Sequence, residues 1–383
     1  MHICFITNEY PKPNYPHGGI GTFVQTISRK LVEKGHEVSV VGINTYTKTD
    51  ENEYENGVRV YRLKPKIVKG LTWYFNNNII NKKLDKIHAK KPIDIVEASE
   101  LGLALVKKRK TIRYIIRLHG GHHFFAEAEN RKVSLWKGFQ EKKSFKKADG
   151  FIAVSEYVKL HTSKFLSYNN KPIKVLMSPI NLDIFKPNPE VKVEPDTILF
   201  AGTVCEKKGV GQLIKAMPKV LKDYPEANLL VYGRDWYFKD GSSYINYLKN
   251  DVIPKLKGIS KHIHFMGAVP INDLTNKYAS AEVCVFPSLM ETQGLVAPEA
   301  MAVQKLVVFS ECGPGKETIE HEKTGLLCNP YDENDIADKI KWALEHKNET
   351  NEIAKKAREH VLSNFNRDNI LNKNIKFYNK IKA

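Results

Sequence analysis

HICFIT at residues 2–7, TFVQTISRKLVEKG at 22–35 and VSVV at 38–41 decide the fold. The first run is a short apolar strand, followed by a Pro- and Gly-rich loop that continues through Gly21. A helical pattern occupies Thr22 to Lys34 and stops at Gly35, and a second apolar strand covers Val38 to Val41. Strand, helix and strand in this order make a β-α-β unit. Working outward, apolar runs at 93–96, 114–118, 151–154 and 174–177 alternate with helical stretches. That is the rhythm of a parallel sheet covered on both faces.

Proline and charge thicken in FKPNPEVKVEPD, residues 185–196, and a new strand, TILFAG, starts directly after it. A domain boundary is expected there. The rhythm then repeats, with strands near 197–202, 228–232, 262–266, 282–286 and 306–309 and a last helical region from about Asn351 to the end. The expected architecture is α/β: a Rossmann-like domain over 1–187, a second over 188–365, and a helix over 366–383 crossing back to the first domain. Doubly wound sheets bind ligands beyond the carboxyl ends of their strands, so two such domains facing across a cleft put their chemistry in the loops that follow strands.

The chain has 383 residues, enough for two cores. Its apolar share of 42% and charged share of 27% are those of a soluble globular protein, and no apolar run approaches the roughly 18 residues that span a bilayer. The start MHICFITNEY carries no basic leader or small-residue cleavage site, so a cytoplasmic protein is expected. Five scattered cysteines without CxxC spacing argue against a disulfide framework and a zinc site. The net charge of +17 is lopsided: residues 1–190 hold 33 Lys/Arg against 18 Asp/Glu. A basic first half calls for an anionic partner, whether nucleic acid, an acidic membrane surface or a phosphorylated acceptor.

The strongest chemical signal is METQGLVAPEAMA, residues 290–302, directly after strand and loop VCVFPSL. Glu291 falls in the loop and Glu299 in the first turn of a helix that Pro298 is suited to open. The amides of Gly294, Leu295 and Val296, with the helix dipole, are placed to receive a diphosphate. Two carboxylates beside an anion site must turn to neutral partners, and sugar and ribose hydroxyls fit that need. Here the sequence resembles the family 4 retaining glycosyltransferases of the GT-B fold, known as glycosyl transferases group 1. The resemblance covers nearly the whole chain, and its mark is a pair of glutamates separated by seven residues.

The resemblance implies that Glu291 binds donor hexose hydroxyls and Glu299 the ribose. HGGIGTFV, residues 17–24, resembles the family's glycine loop, so Gly18 and Gly19 are expected to admit the donor phosphates and acceptor. RLHGG, residues 117–121, ends a strand at His119, resembling the histidine near the transferring sugar. ILFAGTVCEKKGV, residues 198–210, resembles the opening of the donor domain, with Lys208 meeting the diphosphate, and ECGPGKETI, residues 311–319, supplies Glu317 beside the donor. One departure stands out: Thr203 replaces an arginine usual in the family beside the pyrophosphate, so that either Lys207 compensates or the donor is bound more loosely.

There is no Asp-x-Asp, so a metal-independent enzyme without cofactor is expected, with lysine, amides and helix dipole neutralising the leaving group. The implied reaction moves a hexose from a UDP-sugar, or GDP-mannose, to a glycan or lipid-linked saccharide in cell-surface polysaccharide synthesis. A sugar-nucleotide epimerase is the alternative. A dehydrogenase is disfavoured because Gly18, Gly19 and Gly21 do not fit GxGxxG and VVGIN ends without a ribose-binding acid. No nucleic-acid recognition module is present either. The basic residues gather at Lys107, Lys108, Arg109, Lys110, Arg113 and Arg117, then at Arg131, Lys132, Lys137, Lys142, Lys143, Lys146 and Lys147 around Trp136, Phe139 and Phe145. The second group reads as a helix suited to an anionic interface, consistent with peripheral attachment at the inner face of a membrane.

Overall fold

The computed structural model describes every residue except 14, 16, 17, 45, 47 and 48, so His17 of the glycine loop lies outside the described residues. The chain divides into two compact units, one of residues 1–178 with 368–383 and one of 179–367. The first holds β1 (His2–Ile6), β2 (Glu37–Ile43), β3 (Glu51–Glu55), β4 (Val58–Leu63), β5 (Ile95–Ala98), β6 (Arg113–Leu118), β7 (Gly150–Ala153) and β8 (Ile173–Val175). Its helices are α1 (Gly19–Glu33), α2 (Thr72–Lys90), α3 (His122–Ala128), α4 (Leu135–Lys147) and α5 (Glu156–Ser163).

The second unit holds β9 (Thr197–Ala201), β10 (Asn228–Tyr232), β11 (Ile263–Gly267), β12 (Val283–Phe286), β13 (Leu306–Ser310) and β14 (Leu326–Cys328). Around them lie α6 (Val210–Asp223), α7 (Tyr244–Tyr247), α8 (Ile271–Ser280), α9 (Val296–Ala302), α10 (Gly315–Thr318), α11 (Glu333–Glu345) and α12 (Lys347–Asn364). The last helix, α13 (Arg367–Lys382), belongs almost wholly to the first unit.

The strand orders are β3-β4-β2-β1-β5-β6-β7-β8 and β11-β10-β9-β12-β13-β14. Every pairing between these strands is parallel except β3 with β4, a hairpin turned by Asn56 and Gly57, both at positive φ. In each sheet the order reverses beside the first strand, between β1 and β5 and between β9 and β12. Loops diverge at such a switch point and leave a crevice past the strand ends.

Buried apolar strands such as β1 form because both faces are covered. On one side α1 buries Phe23, Val24, Ile27 and Leu31 against Ile3, Phe5, Val38 and Val40, and α13 adds Leu371, Phe377, Tyr378 and Ile381 to the same cluster. Polar groups fasten α13 as well. Arg117 Nε donates to Glu97 Oε1 at 2.7 Å, its Nη2 to Asn374 Oδ1 at 2.6 Å, and Tyr378 OH to Glu97 Oε2 at 2.7 Å, all buried. The guanidinium also lies 4.4 Å from the Phe23 ring centroid.

Two boundaries differ from expectation. The units part at 178/179 rather than 187/188, because Phe185 is buried near the Tyr278 ring and Asp183 pairs with Arg367. The final helical region is two helices, broken at Phe365, whose carbonyl accepts from Ile180 N at 3.2 Å. Removing one partner of a buried pair strands the other's charge, at a cost of about 3–5 kcal/mol. Glu97→Ala should therefore lower unfolding free energy by about that amount in urea titration, and a loss below about 1 kcal/mol would show that Arg117 does not depend on Glu97.

Candidate functional site

In the second unit the site begins where β9 and β12 end side by side. Gly209 sits at φ +71°, and a Cβ there would lie 1.8 Å from the Pro287 carbonyl oxygen, so the two loops meet backbone to backbone. Leu289 N and Met290 N both donate to the Lys207 carbonyl, at 3.0 and 3.2 Å. This stitching brings Lys208 Nζ onto Glu291 Oε1, and Ser288 Oγ donates to the same oxygen at 3.2 Å. Glu291 is only 8% exposed, so its carboxylate has lost most of its water, while the Lys208 side chain keeps a quarter of its surface exposed. An ammonium fixed in this position is a strong partner for phosphate oxygens.

Gly294, at φ +75°, turns the chain from Glu291 into α9; a Cβ there would come within 2.6 Å of Phe309. The helix opens at Val296, two residues before Pro298, because Leu295 is already helical and its carbonyl accepts from Glu299 N at 3.0 Å. Pro298 therefore sits inside the first turn instead of opening it. The turn leaves its leading amides, those of Leu295 and Val296, without partners inside the helix. Glu299 receives a hydrogen bond from Tyr278 OH at 3.3 Å, and burial raises its carboxyl to about 8.

Thr203 lies in the turn after β9, and Val204 N donates to the Arg234 carbonyl at 2.9 Å. Arg234, on the loop after the neighbouring strand β10, is exposed, and its guanidinium has no hydrogen bond or ion pair among the described residues. No motif in the sequence singles this cation out. Lys207 contributes its carbonyl to the loop stitching. Glu317 stands in α10, beyond β13, which is two strands from β9.

In the first unit Gly18 caps α1 and Gly19 begins it. Gly19 is exposed, and a Cβ on it would meet nothing within 4 Å, whereas one on Gly21 would fall 1.9 Å from the Glu9 carbonyl oxygen. The fold itself demands glycine at 21 and leaves 19 open to a ligand. Glu9, Asn8, Asn76 and Ser99 line a cavity of about 740 Å³ at the β1/β5 switch point. His119 N donates to Glu100 Oε1 at 2.6 Å, and the His119 ring stands edge-on to Phe23. Burial, with the Arg117 charge, pulls the His119 imidazole down to about 3, so it is neutral at physiological pH. Burial, helped by Glu141, pushes Glu100 up to about 8. Glu141, buried in turn, accepts from His122 N at 2.8 Å and His123 N at 3.0 Å. Two submerged carboxyl groups thus hold the loop that carries His119.

The basic stretches divide differently from expectation. Arg117 is core, Lys108 pairs with Asp149 and Arg109 with Asp85, so half of the first stretch is internally neutralised. In the second, Arg131 pairs with Glu129, Phe145 is buried, and Lys147 donates to the Ala104 and Val106 carbonyls. Among the described residues no helix is long and apolar enough to cross a membrane.

This fold, with its two glutamates on the β12–α9 loop and helix, is that of the GT-B glycosyltransferases. Sucrose-phosphate synthase from Thermosynechococcus elongatus matches it with a TM-score of 0.84 at 21% identity, over 99% of this chain and 98% of that one. HepE of Anabaena, solved in complex with UDP-glucose, matches with a TM-score of 0.79 at 17% identity, over 99% and 100%. The glycosyl transferases group 1 model matches residues 183–360 and the glycosyltransferase family 4 model residues 17–184. The chain belongs to this family of glycosyltransferases. It is 29% identical to an uncharacterised glycosyltransferase of Methanocaldococcus jannaschii, over 99% of this chain and 98% of the relative. It is 23% identical to the glycogen synthase of Mycobacterium tuberculosis, over 95% and 91%. These comparisons give no support to the epimerase alternative.

Glu100 and Glu299 keep a proton in the folded state at pH values where the unfolded chain has lost it. Above the ordinary imidazole range, where the depressed His119 no longer opposes them, stability should then fall as pH climbs toward about 8. Urea titrations across that window should show the decline, flattened in Glu299→Gln and in Glu100→Gln; slopes matching the wild type in both variants would contradict the assignment.

Proposed function

We propose that the protein is a retaining, metal-independent hexosyltransferase that takes its sugar from a nucleoside diphosphate and passes it to a glycan or lipid-linked saccharide, in the building of a cell-surface polysaccharide. The observation that carries this reading is the pair of Lys208 with the buried Glu291 carboxylate beside the start of α9. When the donor enters, its diphosphate replaces the carboxylate on Lys208 and takes the α9 amides, while Glu291 turns to the hexose hydroxyls. Glu299 holds the ribose. Fixed positive groups stabilise the charge that grows on the leaving diphosphate. A UDP-sugar is favoured over GDP-mannose by the likeness to HepE, whose structure contains UDP-glucose.

Retention follows from front-face attack, in which the departing phosphate takes the acceptor proton and no protein nucleophile is needed. The neutral His119 imidazole offers a hydrogen bond near the reacting centre, and Gly19 leaves room for phosphate and acceptor, with the Glu9 carboxylate, packed against Gly18, turning aside as they enter. The cavity at the β1/β5 switch point suits the acceptor, with the Glu9 carboxylate available to orient a hydroxyl. The surplus of positive charge in the first unit fits a protein that works in the cytoplasm at the inner face of a membrane, where a lipid-linked acceptor would be presented.

Thermal-shift screening of nucleotide sugars identifies the donor, since a ligand at a hundred times its Kd adds about 2.7 kcal/mol. With that donor, Glu291→Gln should depress kcat far more than it weakens nucleotide binding, while Glu299→Gln should weaken nucleotide binding too. Equal effects on both quantities in both variants would overturn the division of roles. Turnover should also survive EDTA, and loss on chelation with rescue by magnesium or manganese would show that the charge neutralisation is misassigned.

A further inference from the structure

A second concave site lies in the first unit, away from the strand ends. Phe139, Lys142, Lys143 and Lys146 of α4, with Phe165 and Leu166 just past α5, surround a cavity of about 470 Å³. None of the three lysines has an acidic partner among the described residues, although Arg131, Lys108 and Arg109 nearby in sequence all do. Lys143 Nζ lies 5.9 Å from the Phe139 ring centroid, so cation and aromatic face share one rim. Three unneutralised ammonium groups over an apolar floor select a ligand that is anionic at one end and greasy at the other.

The surroundings extend this character. Leu135 at the start of α4 is 93% exposed and Phe139 is 55% exposed, with Trp136 between them also at the surface. Trp136 packs on Trp73 of α2, ring centroids 4.7 Å apart, which joins α4 to the turn before α2. That turn exposes Ile67 at 82%, together with Leu71 and, one turn into α2, Tyr74, and it carries the exposed Lys66 and Lys69. Aliphatic and aromatic tips mixed with lysines make a surface suited to the boundary between lipid headgroups and acyl chains. A nucleic-acid face would need the charge without the exposed Leu135 and Ile67.

We propose that this surface docks on an anionic phospholipid bilayer, with the α4–α5 cavity seating one phosphodiester headgroup on Lys142, Lys143 and Lys146 while Leu135, Phe139 and Ile67 enter the interface. The proposal rests on the membrane reading given above and adds to it the docking face and the headgroup site. Lys147, which the sequence places in the same basic run, is excluded because it is committed to the Ala104 and Val106 carbonyls.

Co-sedimentation with vesicles tests it, using phosphatidylcholine alone against phosphatidylcholine mixed with phosphatidylglycerol. The full chain should bind only the anionic vesicles, and binding should fall as salt rises. Joint replacement of Lys142, Lys143 and Lys146 by Glu should lower the partition at least about tenfold. The same three changes at Lys82, Lys86 and Lys90, exposed on α2, should lower it much less. Leu135→Ser with Phe139→Ser should weaken binding without changing its salt dependence. Thermal shift by the nucleotide donor, measured on every variant, should be unchanged, which reports folding and the donor site separately from docking. Equal binding to both vesicle types, binding to neither, or equal loss in the α2 control would overturn the proposal. So would retention on a random DNA duplex that depends on the same three lysines as strongly as the vesicles do.

Discussion

The contact between the loop after β9 and the loop after β12 is the constraint on which the donor side of this protein depends. Their strands are neighbours only because the sheet order reverses between β9 and β12, and the loops touch only because residue 209 lacks a side chain. Once Lys207 has tied the two backbones together, Lys208 and Glu291 have little choice but to meet, although 83 residues separate them. A lysine alone on a loop would be a solvated charge of small consequence. Held against a nearly dry carboxylate, it becomes a cation whose partner can be exchanged, and an incoming diphosphate offers more negative charge than the carboxylate it displaces.

The first unit solves a related problem with different means. His119 sits at the end of β6, and its loop is suspended from the buried carboxyl groups of Glu100 and Glu141 through backbone amides. Beneath it Arg117 spans Glu97, Asn374 and Phe23, so α13 at the far end of the chain is tied to the strand that delivers the histidine. Burial and the neighbouring guanidinium both disfavour the charged imidazole. A neutral ring can donate or accept one hydrogen bond near a developing positive charge without repelling it.

Much of this was legible in the sequence, for identifiable reasons. Parallel strands buried on both faces are continuous apolar runs, so β1, β2, β6, β7, β9, β10, β12 and β13 announce themselves. β3 does not: ENEYE is acidic and half-exposed at a sheet edge, and the Asn56-Gly57 turn was the signal that was missed. β14 is three residues long, too short for a pattern. The glutamate pair was visible because both members fall within one loop and one helix turn. Glu9, Glu100, Glu141, Tyr278 and Ser288 were not, since each acquires its role from a partner distant in the chain or from a cavity wall. Arg117 was misread for the same reason: beside Arg113 it looks like surface charge, and only Glu97, Asn374 and Tyr378 show it to be core. The basic run at 131–147 reads as one feature in the sequence, yet its members separate into structural, paired and unpartnered groups.

The most direct measurement is calorimetric titration of wild type and Lys208→Met with a nucleoside diphosphate, UDP and GDP in turn, and with the corresponding nucleoside alone. If Lys208 exchanges Glu291 for the diphosphate, the substitution lowers affinity for the preferred diphosphate at least about tenfold, the scale of a charge-assisted hydrogen bond, and leaves nucleoside affinity unchanged. Equal affinities of the two proteins for the diphosphate would contradict the account.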